Sequence, residues 1–303
     1  MTFAKRIFLF LALNFVVVLT ISTVLSLLNI RPYFQAYGLD YSSLMAFCLI
    51  WGMGGALISL ALSRKIAKWM MGVKVISPNT MNPEERMLLN LIGRLARSAN
   101  LPSAPEVGVY SSNEANAFAT GPSRKRSLVA VSTGLLARMK GQELEGVLAH
   151  EISHIASGDM VTMTLLQGVV NAFVMFLARV LAYAISGMGR SRDNSSNNSY
   201  MSYRIFVYLF EVVFMILGSL VIAAYSRFRE FRADAGGARL AGKTSMISAL
   251  QVLRNFQDIQ NPEESPAMAA FKISHTGRKG LLRLFASHPP LEERIERLKS
   301  YSQ

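Results

Sequence analysis

Four histidines occur in the chain, and two of them, His150 and His154, stand four residues apart around Glu151 in "LAHEISHIASGDM". At about 3.6 residues per helical turn, positions four apart share one face. Two imidazoles so placed converge on one point, as a zinc ion requires, and Glu151 beside them is positioned as general base toward a metal-activated water. From this composition a chance H-E-x-x-H has a probability of about a few in a thousand, set against the known false-positive risk of such motifs. A metal site also needs a third ligand. The metzincin continuation would place a histidine where this chain has Met160, so that ligand must come from elsewhere.

The elements that must position these residues are unusually apolar. Half the chain (51%) is hydrophobic, and the excess is concentrated. Residues 7–28 and 42–62 are uncharged runs of roughly the twenty residues needed to cross a bilayer core. Residues 161–188 are interrupted only by Arg179, and residues 205–225 only by Glu211. The expectation is four spans. The first follows Lys5-Arg6 as a signal peptide would, but its apolar run is too long and no small-residue cleavage site follows, so it reads as an anchor. Cys48 is the single cysteine, which excludes an intrachain disulfide.

A formal charge of +13 could suggest nucleic acid, but the placement of the charge argues otherwise. Basic residues crowd the segment after the second run, from Arg64 and Lys65 to Arg138 and Lys140, whereas residues 29–41 carry only Arg31 against Asp40. This asymmetry puts both termini and the middle region in the cytoplasm. Arg190, Arg192 and Arg204 oppose it, in a Ser/Asn-rich connection that reads as an exposed loop. The basicity is read as attraction to anionic headgroups of the bilayer, with no nucleic-acid partner.

Between the second and third runs lies a small α/β region. Asn82 is placed as N-cap with Pro83 at the first helical position, followed by an apolar stripe through Leu88, Leu91, Ile92 and Leu95. "EVGVY", "ANAFAT" and "SLVAVS" read as strands, and "QELEGVLAHEISHIASG" as a helix ending near Gly158. The domain reading is an N-terminal transmembrane hairpin (1–63), a first cytoplasmic part with the H-E-x-x-H helix (64–160), a second transmembrane hairpin (161–225) and a second cytoplasmic part (226–303). The expected fold is a membrane α-helical protein with four transmembrane helices in two hairpins and a cytoplasmic α+β domain, which the family resemblance given below implies to be a zincin-like metalloprotease domain. A loop is expected over about 261–280.

The third ligand follows from scarcity and topology. Only nineteen residues are acidic, and "REFRAD" places Glu230 and Asp234 one turn apart. Glu230 would complete a His-His-Glu site, and Asp234 would accept a hydrogen bond from a ligand imidazole. The alternative is that both pair with Arg227, Arg229 or Arg232 on a solvated helix face. An antiparallel hairpin of the third and fourth spans favours the metal reading, because it returns Glu230 to the end where His154 lies. Asp159 reads as a helix-end or site-supporting carboxylate. Arg179 and Glu211, about 27 Å and 9 Å into their spans at about 1.5 Å per residue, read as a structural pair or as snorkelling charges.

"NAFATG", "LVAVSTGLL", "LAHEISHIASGDM", "SRFREFRADAG" and "SHPPLEERI" together resemble the HtpX membrane metalloproteases, gluzincins related to the eukaryotic CAAX prenyl proteases. The resemblance spans nearly the whole chain. It implies one Zn2+ per chain held by His150, His154 and Glu230, with Glu151 as base and Asp234 in support. It further implies cleavage of misfolded or surplus membrane proteins at the cytoplasmic face of the bacterial inner membrane, overlapping a membrane-bound AAA+ protease.

It also places Asn116 beside the cleft, where an edge strand can pair with an extended substrate. The other reading of Asn116 is a turn former ahead of a packed strand. His288, before Pro289 and Pro290, has a family counterpart and is assigned with Arg294 to oxyanion stabilisation or metal gating. The alternative is a helix-entry histidine and a surface ion pair. Competing functions are a processing protease for lipidated or signal-bearing partners, a four-span zinc transporter or sensor, and an inactive scaffold. Ligands that flank the spans argue against the transporter, and the intact Glu151 against the scaffold.

Overall fold

The structure, a computed structural model, describes residues 41–188, 196–260, 284 and 286–300. The first predicted span and the predicted loop at 261–280 lie outside the described residues. Along the chain run α1 (Tyr41–Met71), β1 (Lys74–Val75), α2 (Pro83–Ser98), β2 (Glu106–Tyr110), β3 (Ala117–Ser123), β4 (Arg126–Ser132) and α3 (Thr133–Arg138). They are followed by α4 (Gln142–Ser157), α5 (Asp159–Met188), α6 (Ser196–Ala241), α7 (Lys243–Gln260) and α8 (Leu291–Ser300). Two compact units result, one from residues up to Ser59 with Thr162–Ile222, the other from Leu60–Val161 with the residues from Ala223 onward.

Among the described residues, α1, α5 and α6 are each long and apolar enough to cross a membrane. They correspond to the second, third and fourth predicted spans. The helices outrun the apolar stretches that announce them. α1 continues to Met71, where Arg64 and Lys68 reach Glu106 at 3.2 and 2.6 Å. α6 passes Tyr225 without a break, because no proline intervenes before Ala241. Glu230 and Asp234 therefore ride on the same helix as the fourth apolar run, rather than on a separate one.

In the first unit, α1 and α5 cross closely: a Cβ on Gly52 would lie 2.6 Å from the Ala172 backbone nitrogen. Cys48 packs there with Phe176 and Val180. Arg179 and Glu211 meet at 2.8 Å, and Arg179 also donates to the Met175 carbonyl, so each apolar helix carries a charge that the other neutralises. Other apolar side chains point outward: Ile50 is 71% and Trp51 67% exposed. In water such exposure forfeits about 25 cal/mol per Å² of apolar surface, a loss that hydrocarbon surroundings remove.

The second unit is built on a four-stranded sheet of order β1-β2-β4-β3, parallel between β2 and β4 and antiparallel elsewhere. β4 is central, and its residues from Ser127 to Ser132 are buried, which explains the continuous apolar run. β3 is an edge. α2 starts where Asn82 caps it, its side chain accepting from the Glu84 amide at 2.9 Å. Leu88, Ile92 and Leu95 of α2 and Leu144, Leu148, Ile152 and Ile155 of α4 form one core with Val107, Val129 and Val131 of the sheet. That core fixes which face of α4 is left for chemistry.

Candidate metal centre

α4 buries its leucine and isoleucine stripe in the core and presents His150 and His154, each 8% exposed, on the adjoining face. It stops at Gly158, whose left-handed backbone (φ 64°) ends the helix one residue before α5 begins. That turn brings Asp159, the first residue of α5, back to His154, with Nδ1 and Oδ2 2.8 Å apart. The sequence reading of Asp159 as a site-supporting carboxylate matches this position.

α6 supplies the other wall. Its Gly236 and Gly237 lie against α4 so closely that a Cβ on Gly236 would sit 2.0 Å from Ser153 Oγ and one on Gly237 3.2 Å from the His150 nitrogen. Only glycine permits this approach. Gly236→Ala is expected to destabilise the protein by about 1–3 kcal/mol through overpacking, read as a lowered thermal midpoint. Ser153→Gly in the same chain should recover part of the loss, because it removes the atoms that clash.

One turn or more before these glycines, Glu230 is 1% exposed and faces both imidazoles. His150 Nε2 and His154 Nε2 are 3.1 Å apart, and Glu230 oxygens lie 3.5 Å from the first and 3.3 Å from the second. Three ligand atoms bound at about 2.0–2.1 Å to one tetrahedral ion would be separated by roughly 3.3–3.4 Å. The donor set therefore fits a small divalent ion. Burial works against the Glu230 charge, but hydrogen bonds from His150, His154 and His288 outweigh it and hold the carboxyl far below the usual range, ionised as a ligand must be. Burial likewise pushes the His150 imidazole down, while Asp234 and Glu230 together raise it to about 9.

Each imidazole is braced from behind. His150 Nδ1 lies 2.9 Å from Asp234 Oδ1, and Asp234 in turn takes two bonds from Arg294, from Nε at 2.8 Å and Nη2 at 2.6 Å. His154 is held by Asp159, and Arg232 Nη2 donates to Asp159 at 3.1 Å. A carboxylate at Nδ1 favours the tautomer whose Nε2 lone pair would be free to bind an ion. Asp234→Asn and Asp159→Asn are each expected to weaken metal binding about 10–100-fold, measured by chelator competition, with stoichiometry unchanged.

The arginine alternative for "REFRAD" is met only in part: Arg229 touches Glu230 at 3.3 Å, Arg232 goes to Asp159, and Arg227 donates to the carbonyls of Leu284 and Ala286. Arg294 is no surface pair. It is 7% exposed, driven inward because Leu291, Ile295 and Leu298 of α8 pack on Ala238, Met246 and Leu250. His288 places Nδ1 2.8 Å from Glu230 Oε2 while remaining 64% exposed. Glu151 is half-buried beside the ligands and makes no hydrogen bond or ion pair among the described residues. Asn116 is exposed one residue before β3, its backbone exchanging hydrogen bonds with Ser132. Sequence reasoning did not anticipate Arg232 as a brace or the glycine pair. A double glycine inside a helical pattern was the available signal for the latter.

Residues 82–302 match Peptidase family M48, a stretch that includes every member of this cluster. The "Protease HtpX homolog" of Bacillus subtilis (strain 168) is 49% identical over 304 residues, covering 98% of this chain and 99% of the relative. This chain belongs to the HtpX family of M48 metalloproteases. "Protease HtpX" of Chromohalobacter salexigens is 48% identical over 97% of each chain. The crystal structure of S. mikatae Ste24p shares the fold, with a TM-score of 0.60 at 19% identity over 96% of this chain and 67% of that one. As an HtpX-family protein the chain is a hydrolase of the membrane, and its family implies a divalent ion, with which a His150–His154–Glu230 site is compatible.

Proposed function

We propose that this chain is a zinc endopeptidase of the bacterial inner membrane, with its active site and both termini cytoplasmic, that cleaves misfolded or surplus membrane proteins. The observation that carries the reading is the buried His150–His154–Glu230 cluster, whose ligand atoms all lie within 4.8 Å of one another. One Zn2+ per chain would be held there, and the chemistry it supplies is Lewis acidity toward water and the scissile carbonyl. Glu151, with no competing partner among the described residues, takes a proton from the attacking water and passes it to the leaving amine nitrogen. His288, exposed beside Glu230, contacts the developing oxyanion. Arg294 and Asp234 act through His150 and are positioning residues.

Asn116 stands at the head of β3, which pairs on one side only among the described residues; its own backbone is taken by Ser132, so its exposed side-chain amide contacts the backbone of an extended substrate laid along β3. Backbone pairing is indifferent to sequence, which suits unfolded polypeptides as substrates and an overlap with a membrane AAA+ protease. The basic segment after α1 supports the cytoplasmic orientation and contact with the phospholipid bilayer. A transporter would hold its ligands near the bilayer midplane, whereas all the ligand residues belong to the unit that contains the sheet.

Reconstituted in vesicles with zinc, the protein is expected to cleave a destabilised polytopic membrane protein, spare its folded parent, and stop on chelation. Cleavage confined to one defined lipidated or signal-bearing partner, with destabilised proteins untouched, would instead identify a processing enzyme.

A further inference from the structure

The two arginines that brace the metal ligands have a second environment in common. Arg232 and Arg294 line a cavity of about 310 Å³ together with Arg239, Arg297, Phe228 and Phe231. Four arginines thus line one space: Arg294 is held by Asp234, its single lining carboxylate, Arg232 reaches Asp159 outside it, and Arg297 and Arg239 add two further positive charges. Arg297 is exposed, lies 4.2 Å over the Phe231 ring, and makes no ion pair among the described residues. Arg232 lies 6.0 Å over Phe228. A guanidinium stacked on an aromatic face is held flat and loses little freedom on binding, and its fork of donors matches a phosphate. Excess positive charge around a space of ligand size is the signature of an anion site.

The place of the cavity narrows the anion. Phe228 follows Tyr225, the last residue of the fourth apolar run, by three residues on the same helix, about 5 Å along the axis at about 1.5 Å per residue. It is 55% exposed at the rim of the arginine cluster. A free phosphate would use the arginines and leave this apolar rim unexplained. An amphiphile whose phosphate enters the cavity and whose glycerol and first acyl carbons lie against Phe228 uses both. We propose that this cavity is a binding site for the headgroup of an anionic phospholipid, its phosphodiester held by Arg297, Arg239 and Arg232.

The test uses the full chain in neutral detergent micelles, titrated calorimetrically with a short-chain phosphatidylglycerol, the matching phosphatidylcholine, and inorganic phosphate. Saturable binding of one phosphatidylglycerol per chain is expected, at least tenfold tighter than either of the others. Arg297→Gln should weaken it at least tenfold, and Arg239→Gln, at a second exposed position, provides the same test should the first variant fold poorly. Arg126→Gln, an equal loss of charge on β4 outside the cavity, should leave binding unchanged. Equal loss in the Arg126 variant would show diffuse attraction to a basic surface and overturn the proposal. So would wild-type affinity in both cavity variants, equal binding of the neutral lipid, or inorganic phosphate binding as tightly as phosphatidylglycerol. The readout requires neither metal nor proteolysis, so it stands apart from the catalytic reading.

Discussion

Replacing Glu151 by glutamine is expected to lower peptide-bond cleavage by about 10²–10⁴-fold, the range for removal of a positioned general base, while metal stoichiometry stays at the wild-type value. Glutamine keeps the shape and polarity of the side chain but cannot accept a proton at neutral pH. The Glu151 side chain makes no hydrogen bond or ion pair among the described residues, so the substitution breaks none. Its neighbours His150 and His154 retain their carboxylate braces, which lie on the other side of the rings at Asp234 and Asp159. Single-turnover cleavage of an unfolded membrane-protein substrate, paired with metal content by atomic absorption, separates the two effects. Undiminished cleavage by a pure Glu151→Gln protein would assign the base to another group.

Glu230→Ala is expected to produce the other large effect, a loss of metal affinity exceeding the roughly 100-fold upper end for residues that merely orient a ligand. Alanine removes the carboxylate that lies 3.3–3.5 Å from both Nε2 atoms and leaves two imidazoles without a charged ligand. Glu230→Gln, which keeps one carbonyl oxygen at the same place, should fall between alanine and wild type. Competition against a chelator of known affinity gives the numbers, and circular dichroism checks that α6 is retained. Affinity within threefold of wild type in the alanine variant would mean that the third ligand lies elsewhere.

How far such a site can be read in advance depends on the range of the forces that build it. The pair His150 and His154 is a matter of helical periodicity, and so is Glu230 one turn from Asp234. Three of the four apolar runs are helices of membrane length, and the first lies outside the described residues. Asn82 and Pro83 follow from local capping, whereas the burial of β4 from Ser127 to Ser132 follows from its central place in the sheet. The helix limits were less legible. Hydropathy reports where a helix meets lipid, not where its hydrogen bonds end, so α1 and α6 run past the apolar residues that revealed them.

Partner choice was least legible. Three arginines near Glu230 were equally eligible on spacing, yet Arg232 turns to Asp159, seventy-three residues away, and Arg294 reaches Asp234 across sixty. Those pairings depend on Gly158 turning the chain, on Gly236 and Gly237 admitting α6 to within contact of α4, and on α8 docking through Leu291, Ile295 and Leu298. By itself the sequence determined three apolar helices of membrane length, the two imidazoles on one helix face, the glutamate between them and the carboxylates available to them, because each is a property of neighbours within a turn or two. Only the tertiary structure decided that Glu230 closes the cluster and which cation steadies which aspartate. Contacts between distant segments are set by how buried faces pack, and many pairings share the same local spacing.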